Sequence, residues 1–181
     1  MKNFIKSEKG VSLVSLAVAV MVLMILTGII LYNAKNNIKI SKVKAMEADV
    51  ENLTDKVASY YAQYGMIPAD TSIEYTNLME LRNAKIISSA TDTGKFYVID
   101  LSAMENITLN YGQDYEKIRN GSATTPEQIN QLKDLYIINE TSHNIFYVAG
   151  ITMDNYTYYT NYDVDEVDKV PVTLRYENVA L

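Results

Sequence analysis

The chain has 181 residues, no cysteine, one histidine, no tryptophan and a net charge of −6 at pH 7. That length has room for one ordinary domain, or a small domain with an appendage. The missing thiols exclude disulfides, thiolate zinc sites and a cysteine nucleophile, the lone histidine argues against a His-dependent triad, and the acidic balance argues against a nucleic-acid binder.

The charge is unevenly spread. Residues 1–44 hold seven lysines and one glutamate, a surplus of six positive charges, so the remainder carries −12. The basic arm contains a run of 22 uncharged residues, 11–32. As a helix rising about 1.5 Å per residue the run would be about 33 Å long, enough to cross a hydrocarbon core of about 30 Å. It is too long for the apolar core of a secretory signal peptide, and its exit, Tyr32-Asn33-Ala34, puts a ring where signal cleavage needs a small residue. The segment is therefore expected to stay with the mature protein. Lys2, Lys6 and Lys9 precede it and Lys35, Lys39, Lys42 and Lys44 follow it. The positive-inside rule is ambiguous for such a pattern and on its own leans towards a cytoplasmic body.

Beyond Tyr32 the pattern becomes amphipathic. Val43, Met46, Val50, Leu53, Val57, Tyr60 and Tyr64 are spaced by threes and fours, one apolar stripe on a helix. Lys44, Glu47, Asp49, Glu51, Asp55 and Lys56 are read as its polar faces. Gly65 is a C-terminal cap and Pro68 follows it. The spacing predicts one helix over 11–64.

At its start the run reads Lys9-Gly10-Val11-Ser12-Leu13-Val14-Ser15. This resembles the class III leader of type IV pilins and of the pseudopilins of type II secretion and competence systems. In that family a short basic leader ends in glycine, and an apolar residue, Ser or Thr, Leu, another apolar residue and usually a glutamate follow. Gly10, Val11, Ser12, Leu13 and Val14 fit; Ser15 stands in place of the glutamate and Val11 in place of the commoner phenylalanine. Tyr60-Tyr61-Ala62-Gln63-Tyr64-Gly65 with Pro68 resembles the family's helix exit. The resemblance covers 1–68; the rest resembles no family.

The resemblance implies a prepilin with a leader over 1–10 carrying Lys2, Lys6 and Lys9, cut between Gly10 and Val11 by a prepilin peptidase that methylates the new amine. It implies a single-pass cell-membrane protein with 11–32 in the bilayer or filament core, an amphipathic helix over 33–65 and an extracytoplasmic head over 66–181. The partners it implies are other pilin or pseudopilin subunits, the peptidase, the inner-membrane assembly platform and lipid. The missing carboxylate at Ser15 fits a minor subunit, or alternatively a filament that assembles by packing alone. The competing function is a single-pass, membrane-anchored extracellular binding module whose anchor is never cleaved.

Residues 66–181 carry mixed signals. A short helix is expected over 76–84 with Leu78, Leu81 and Met79 facing in, a strand over 95–101, and a helix over 126–132 capped by Thr124 or Thr125 with Glu127. Strands over 135–139 and 145–152 flank a five-residue loop, a hairpin signal; further strands are expected over 156–162 and 170–177. The fold class is α+β, the long helix lying on an antiparallel sheet of four or five strands. His143 falls in the hairpin turn and is read as an exposed turn residue. No acid–base constellation is recognisable, so the chain is read as no enzyme, with no cofactor. Asp163, Asp165, Glu166 and Asp168 are weak calcium candidates, since carboxylates suit that ion, but no turn glycine accompanies them. Tyr156, Tyr158, Tyr159 and Tyr162 are expected to alternate between core and solvent.

Overall fold

The computed structural model describes residues 13–87, 90, 92–153, 156–161 and 175–177, and only the backbone at 13–15, 32, 33, 36 and 175–177. Among these residues the fold is α+β. Two compact units divide the chain, 1–38 and 39–181.

Helix α1 spans Leu13–Tyr64, 52 residues. It ends where Gly65 turns to φ +70 and donates its N–H to the Tyr61 carbonyl at 2.8 Å. That left-handed step is costly for any residue with a Cβ. The element therefore stops where the sequence places its cap. No helix among the described residues is long and apolar enough to cross a membrane. The uncharged stretch with described side chains, 16–31, has sixteen residues, below the roughly 20 that a span needs.

Four strands make an antiparallel sheet in the order β1 (Ala69–Glu74), β2 (Phe96–Ile99), β3 (Tyr136–Asn139), β4 (Ile145–Tyr147). Tyr97 faces Ile138 across β2 and β3, and Ile137 faces Phe146 across β3 and β4. The two faces of the sheet are covered by different layers. Val43, Met46, Val50, Leu53 and Val57 of α1 pack with Tyr97, Ile99, Tyr136, Ile138, Ile145 and Tyr147. Alternate residues Phe96, Ile137, Phe146 and Val148 pack with Leu78, Leu81, Tyr115 and Ile129, from around the short helices α2 (Met79–Asn83), α3 (Tyr115–Arg119) and α4 (Pro126–Ile129). Burial on both faces makes β3 apolar throughout except for Asn139, although antiparallel strands usually alternate. Each large side chain of the stripe contributes about 1.5–3 kcal/mol by leaving water.

A second sheet joins β5 (Ile151–Met153), β6 (Tyr156–Tyr158) and β7 (Arg175–Glu177) in that order. The strand expected over 145–152 is thus two strands in two sheets. Gly150, at φ +63, makes the break. A Cβ there would stand 2.6 Å from Thr157 Cγ2 and 2.7 Å from Tyr159 Cε1, so only glycine lets the second sheet close against the turn.

Several local expectations are corrected. Met79 is exposed, while Leu78 and Leu81 are buried as expected. Helix α4 has its capping box between Thr125 and Gln128, so the partner is Gln128 and not Glu127: Gln128 N–H donates to Thr125 Oγ1, and Thr125 N–H donates to Gln128 Oε1. Strand β1 was not anticipated, because Ala-Asp-Thr-Ser-Ile-Glu is polar; it forms as a sheet edge with its middle exposed. Tyr158 and Tyr159 are adjacent and both buried, one in each core layer, which overturns their simple alternation between core and solvent. Tyr162 lies outside the described residues.

Candidate functional site

Within 16–31 α1 is apolar on every side. Twelve large apolar side chains there are 41–70% exposed. Val20, Met21, Val22, Leu23, Met24, Ile25 and Leu26 are seven in succession, and at 100° per residue they point all round the axis. An exposed apolar surface of this extent is rare on isolated soluble domains. The single hydroxyl near its end is satisfied inside the helix: Thr27 Oγ1 donates to the Leu23 carbonyl at 2.7 Å. A back-bonded hydroxyl of this kind needs no water.

The predicted processing and assembly residues lie at or before the start of this helix. Lys2, Lys6, Lys9, Gly10, Val11 and Ser12 are outside the described residues. Leu13, Val14 and Ser15 form the first turn of α1, with their backbone alone described. The calcium candidates Asp163, Asp165, Glu166 and Asp168 are also outside the described residues. Among those described, no group of three or more His, Cys, Asp or Glu side chains is placed to hold a metal.

In the second unit, the unexpected feature of α1 is Asp49. The sequence reading put it on a polar face; it is 3% exposed. Its Oδ2 accepts from the N–H of Asn110 at 2.8 Å, the N–H of Tyr111 at 3.0 Å and the Tyr136 hydroxyl at 2.9 Å, while Oδ1 accepts from Asn110 Nδ2 at 2.8 Å. The signal was present in the spacing. Position 49 is three after Met46 and four before Leu53, which sets it on the flank of the buried stripe. Burial pushes the Tyr136 hydroxyl well above the ordinary tyrosine range, and the Asp49 charge adds to the shift.

Two more aspartates hold the loop that follows. Asp134 Oδ1 accepts from Gly112 N–H at 2.7 Å and from the Tyr147 hydroxyl at 2.9 Å. Asp114 Oδ2 accepts from the N–H of Lys133 at 3.2 Å and of Asp134 at 3.0 Å. The loop 110–114 is thus tied to α1, to β3 and to β4 by carboxylates on all sides. His143 is not a free turn residue. It is half-buried at φ +58, with its ring 4.5 Å from that of Tyr61 on α1.

Two cavities flank Tyr115. One, of about 310 Å³, lies among 101–119 and is lined by Ser102, Tyr111, Gln113, Glu116 and others. The other, of about 260 Å³, has Ile73, Val98, Ile118 and Ile129 as its apolar lining, with Asp70, Asp100 and Arg119 among its polar residues. Tyr115 donates its hydroxyl proton to Asp100 Oδ1, which also accepts from Ser102 N–H at 2.9 Å.

The chain matches no family model, no curated protein and no solved structure.

Proposed function

We propose that the chain is a pilin-like structural subunit: a prepilin cut between Gly10 and Val11 and built into a filament of the type IV pilus, type II secretion or competence kind. The observation that carries this reading is the change of character along α1. Its first part is apolar all round and exposed, whereas 43–57 keeps one stripe, buried under the sheet. An all-apolar helix needs lipid or other helices around it. Before assembly the bilayer would supply that cover; in a filament, the same segment of neighbouring subunits would.

The sequence gives further support. The uncharged run of 22 residues over 11–32 exceeds the described stretch and has the length of a membrane span. It stands directly behind the Lys9-Gly10-Val11-Ser12-Leu13 junction. In this reading the N-terminus starts in the cytoplasm and the head is extracytoplasmic. The peptidase, the assembly platform and other subunits are the working partners. Ser15 lacks the carboxylate that would pair with a neighbour's terminal amine, which fits a minor subunit, or alternatively a filament that assembles by packing alone.

The test is a photoreactive amino acid in place of Leu23. In the filament reading, illumination of cells that assemble the filament yields adducts with the apolar segment of another subunit. Adducts with lipid alone, in the same cells, would favour the uncleaved anchored binding module instead.

A further inference from the structure

The lysines that follow the apolar run are an unbalanced charge. Lys35, Lys42 and Lys44 are exposed, and among the described residues none of the three forms an ion pair with a carboxylate. No aspartate or glutamate occurs over residues 9–46. Helices that face only water gain from opposite charges three or four residues apart; here the acids begin only at Glu47. Ile38 and Ile40 stand among the lysines and are 58% and 42% exposed. Aliphatic side chains interleaved with lysines suit the boundary between hydrocarbon and water, where the first dip inward and the second reach outward. Lys35 is three residues beyond Tyr32 and Lys44 twelve. Twelve residues of helix span at most about 18 Å. A headgroup layer is about 5–8 Å deep, and its charge acts about 8–10 Å further at ordinary salt. All of these lysines therefore come within reach of headgroup phosphates.

We propose that the basic band over 35–44 binds the headgroups of anionic phospholipids, such as phosphatidylglycerol, in the leaflet on the head side of the membrane. The inference rests on the reading of 11–32 as a membrane segment and names the lipid that this segment meets. Charge complementarity sets the class: lysines clustered beside a membrane span attract anionic headgroups. An acidic protein surface would satisfy the lysines but leave Ile38 and Ile40 in water. The same contact accounts for a charge that orientation alone leaves unexplained. With the head extracytoplasmic, the band crosses the membrane against the usual bias of lysine towards the cytoplasm, and anionic headgroups supply its counter-charge on the far side.

The test is electron paramagnetic resonance of spin-labelled phospholipids in phosphatidylcholine vesicles that carry the full chain. Lys2, Lys6 and Lys9 are replaced by Gln throughout, so that leader charge does not contribute. The chain should slow spin-labelled phosphatidylglycerol in preference to spin-labelled phosphatidylcholine, by a factor of at least about three at low salt. Adding Lys35→Gln, Lys42→Gln and Lys44→Gln should bring the ratio close to one; all three positions are exposed, so helix content by circular dichroism should not change. Salt near 1 M, where the screening length is about 3 Å, should do the same to the parent chain. A ratio of one with both labels slowed would overturn the assignment alone and leave an acidic protein surface as the occupant. An unchanged ratio in the Lys→Gln variant would overturn it as well. No slowed lipid of either kind would contradict the membrane segment itself, and the band's lipid contact with it.

Discussion

Replacing Asp49 by alanine tests how the head is fastened to its helix. The substitution removes the acceptor of two backbone N–H groups, the Asn110 side chain and the Tyr136 hydroxyl. Asn110 is exposed and can turn to water, so its loss is small. Tyr136 is 2% exposed, and its hydroxyl would be stranded. An unsatisfied buried hydroxyl costs about 1–3 kcal/mol, and a hydrogen bond to a charged group is worth about 1.5–3 kcal/mol. We expect a loss of about 3 kcal/mol. At about 2–4 °C per kcal/mol for a chain of this size, the melting temperature should fall by about 6–12 °C. The assay is thermal and urea unfolding of the full chain in micelles, with exposed Glu51→Ala as the control, expected within about 0.5 kcal/mol of wild type. Tyr136→Phe removes the donor instead, and the double variant should lose less than the two singles together, a coupling of about 1 kcal/mol or more. A loss below about 1 kcal/mol for Asp49→Ala, or strict additivity with Tyr136→Phe, would refute the clasp.

Acid should destabilise the head through Asp100 and Asp114. At both, burial raises the carboxyl but hydrogen bonds outweigh it: Ser102 and Tyr115 at Asp100, and Lys117 with the N–H groups of Asp134 and Lys133 at Asp114. A folded value below the unfolded one, about 3.9, gives stability that is complete above that pH and lost as pH falls through the folded value. The melting temperature should therefore be flat above about pH 5 and fall below about pH 4, with a shallower fall in Asp114→Asn; a fall beginning at neutral pH would contradict this. Gly150→Ala should cost more than the roughly 1–2 kcal/mol of a left-handed alanine, because the added Cβ also strikes Thr157 and Tyr159; wild-type stability by urea unfolding would refute the close packing there. For a minor subunit, Ser15→Glu should lower membrane accumulation or leave filament number unchanged, since a lone carboxylate at membrane depth costs about 2.5–3.5 kcal/mol. A clear rise in filament number by electron microscopy would count against the minor-subunit reading.

What the sequence made legible was whatever repeats with a period. The stripe from Val43 to Tyr64 announces itself by spacings of three and four; its first five residues, to Val57, are buried, whereas Tyr60 is half-buried and Tyr64 is exposed. The hairpin of β3 and β4 follows from two apolar runs around the five residues 140–144. Strand β1 and helix α3 were not legible. The first is a polar edge whose ladder comes from β2, and the second has five residues of which only Tyr115 is buried. Neither has a periodic face; each exists because tertiary contacts hold it. Asp49 was misread for a related reason. Its residue type argues for solvent, and its position on the flank of the stripe argues for burial. The position prevails because four donors await the carboxylate. The second cavity left no sequence signal, since Asp70, Asp100, Ile118 and Ile129 come from four separate segments brought together by the fold.

The central claim is most directly tested by the mass of the N-terminal peptide of the chain isolated from cells that carry a prepilin peptidase. The account predicts a chain beginning at N-methylated Val11, with Gly10→Leu leaving the leader in place. A wild-type chain that keeps Met1 and all ten leader residues in those cells would contradict it.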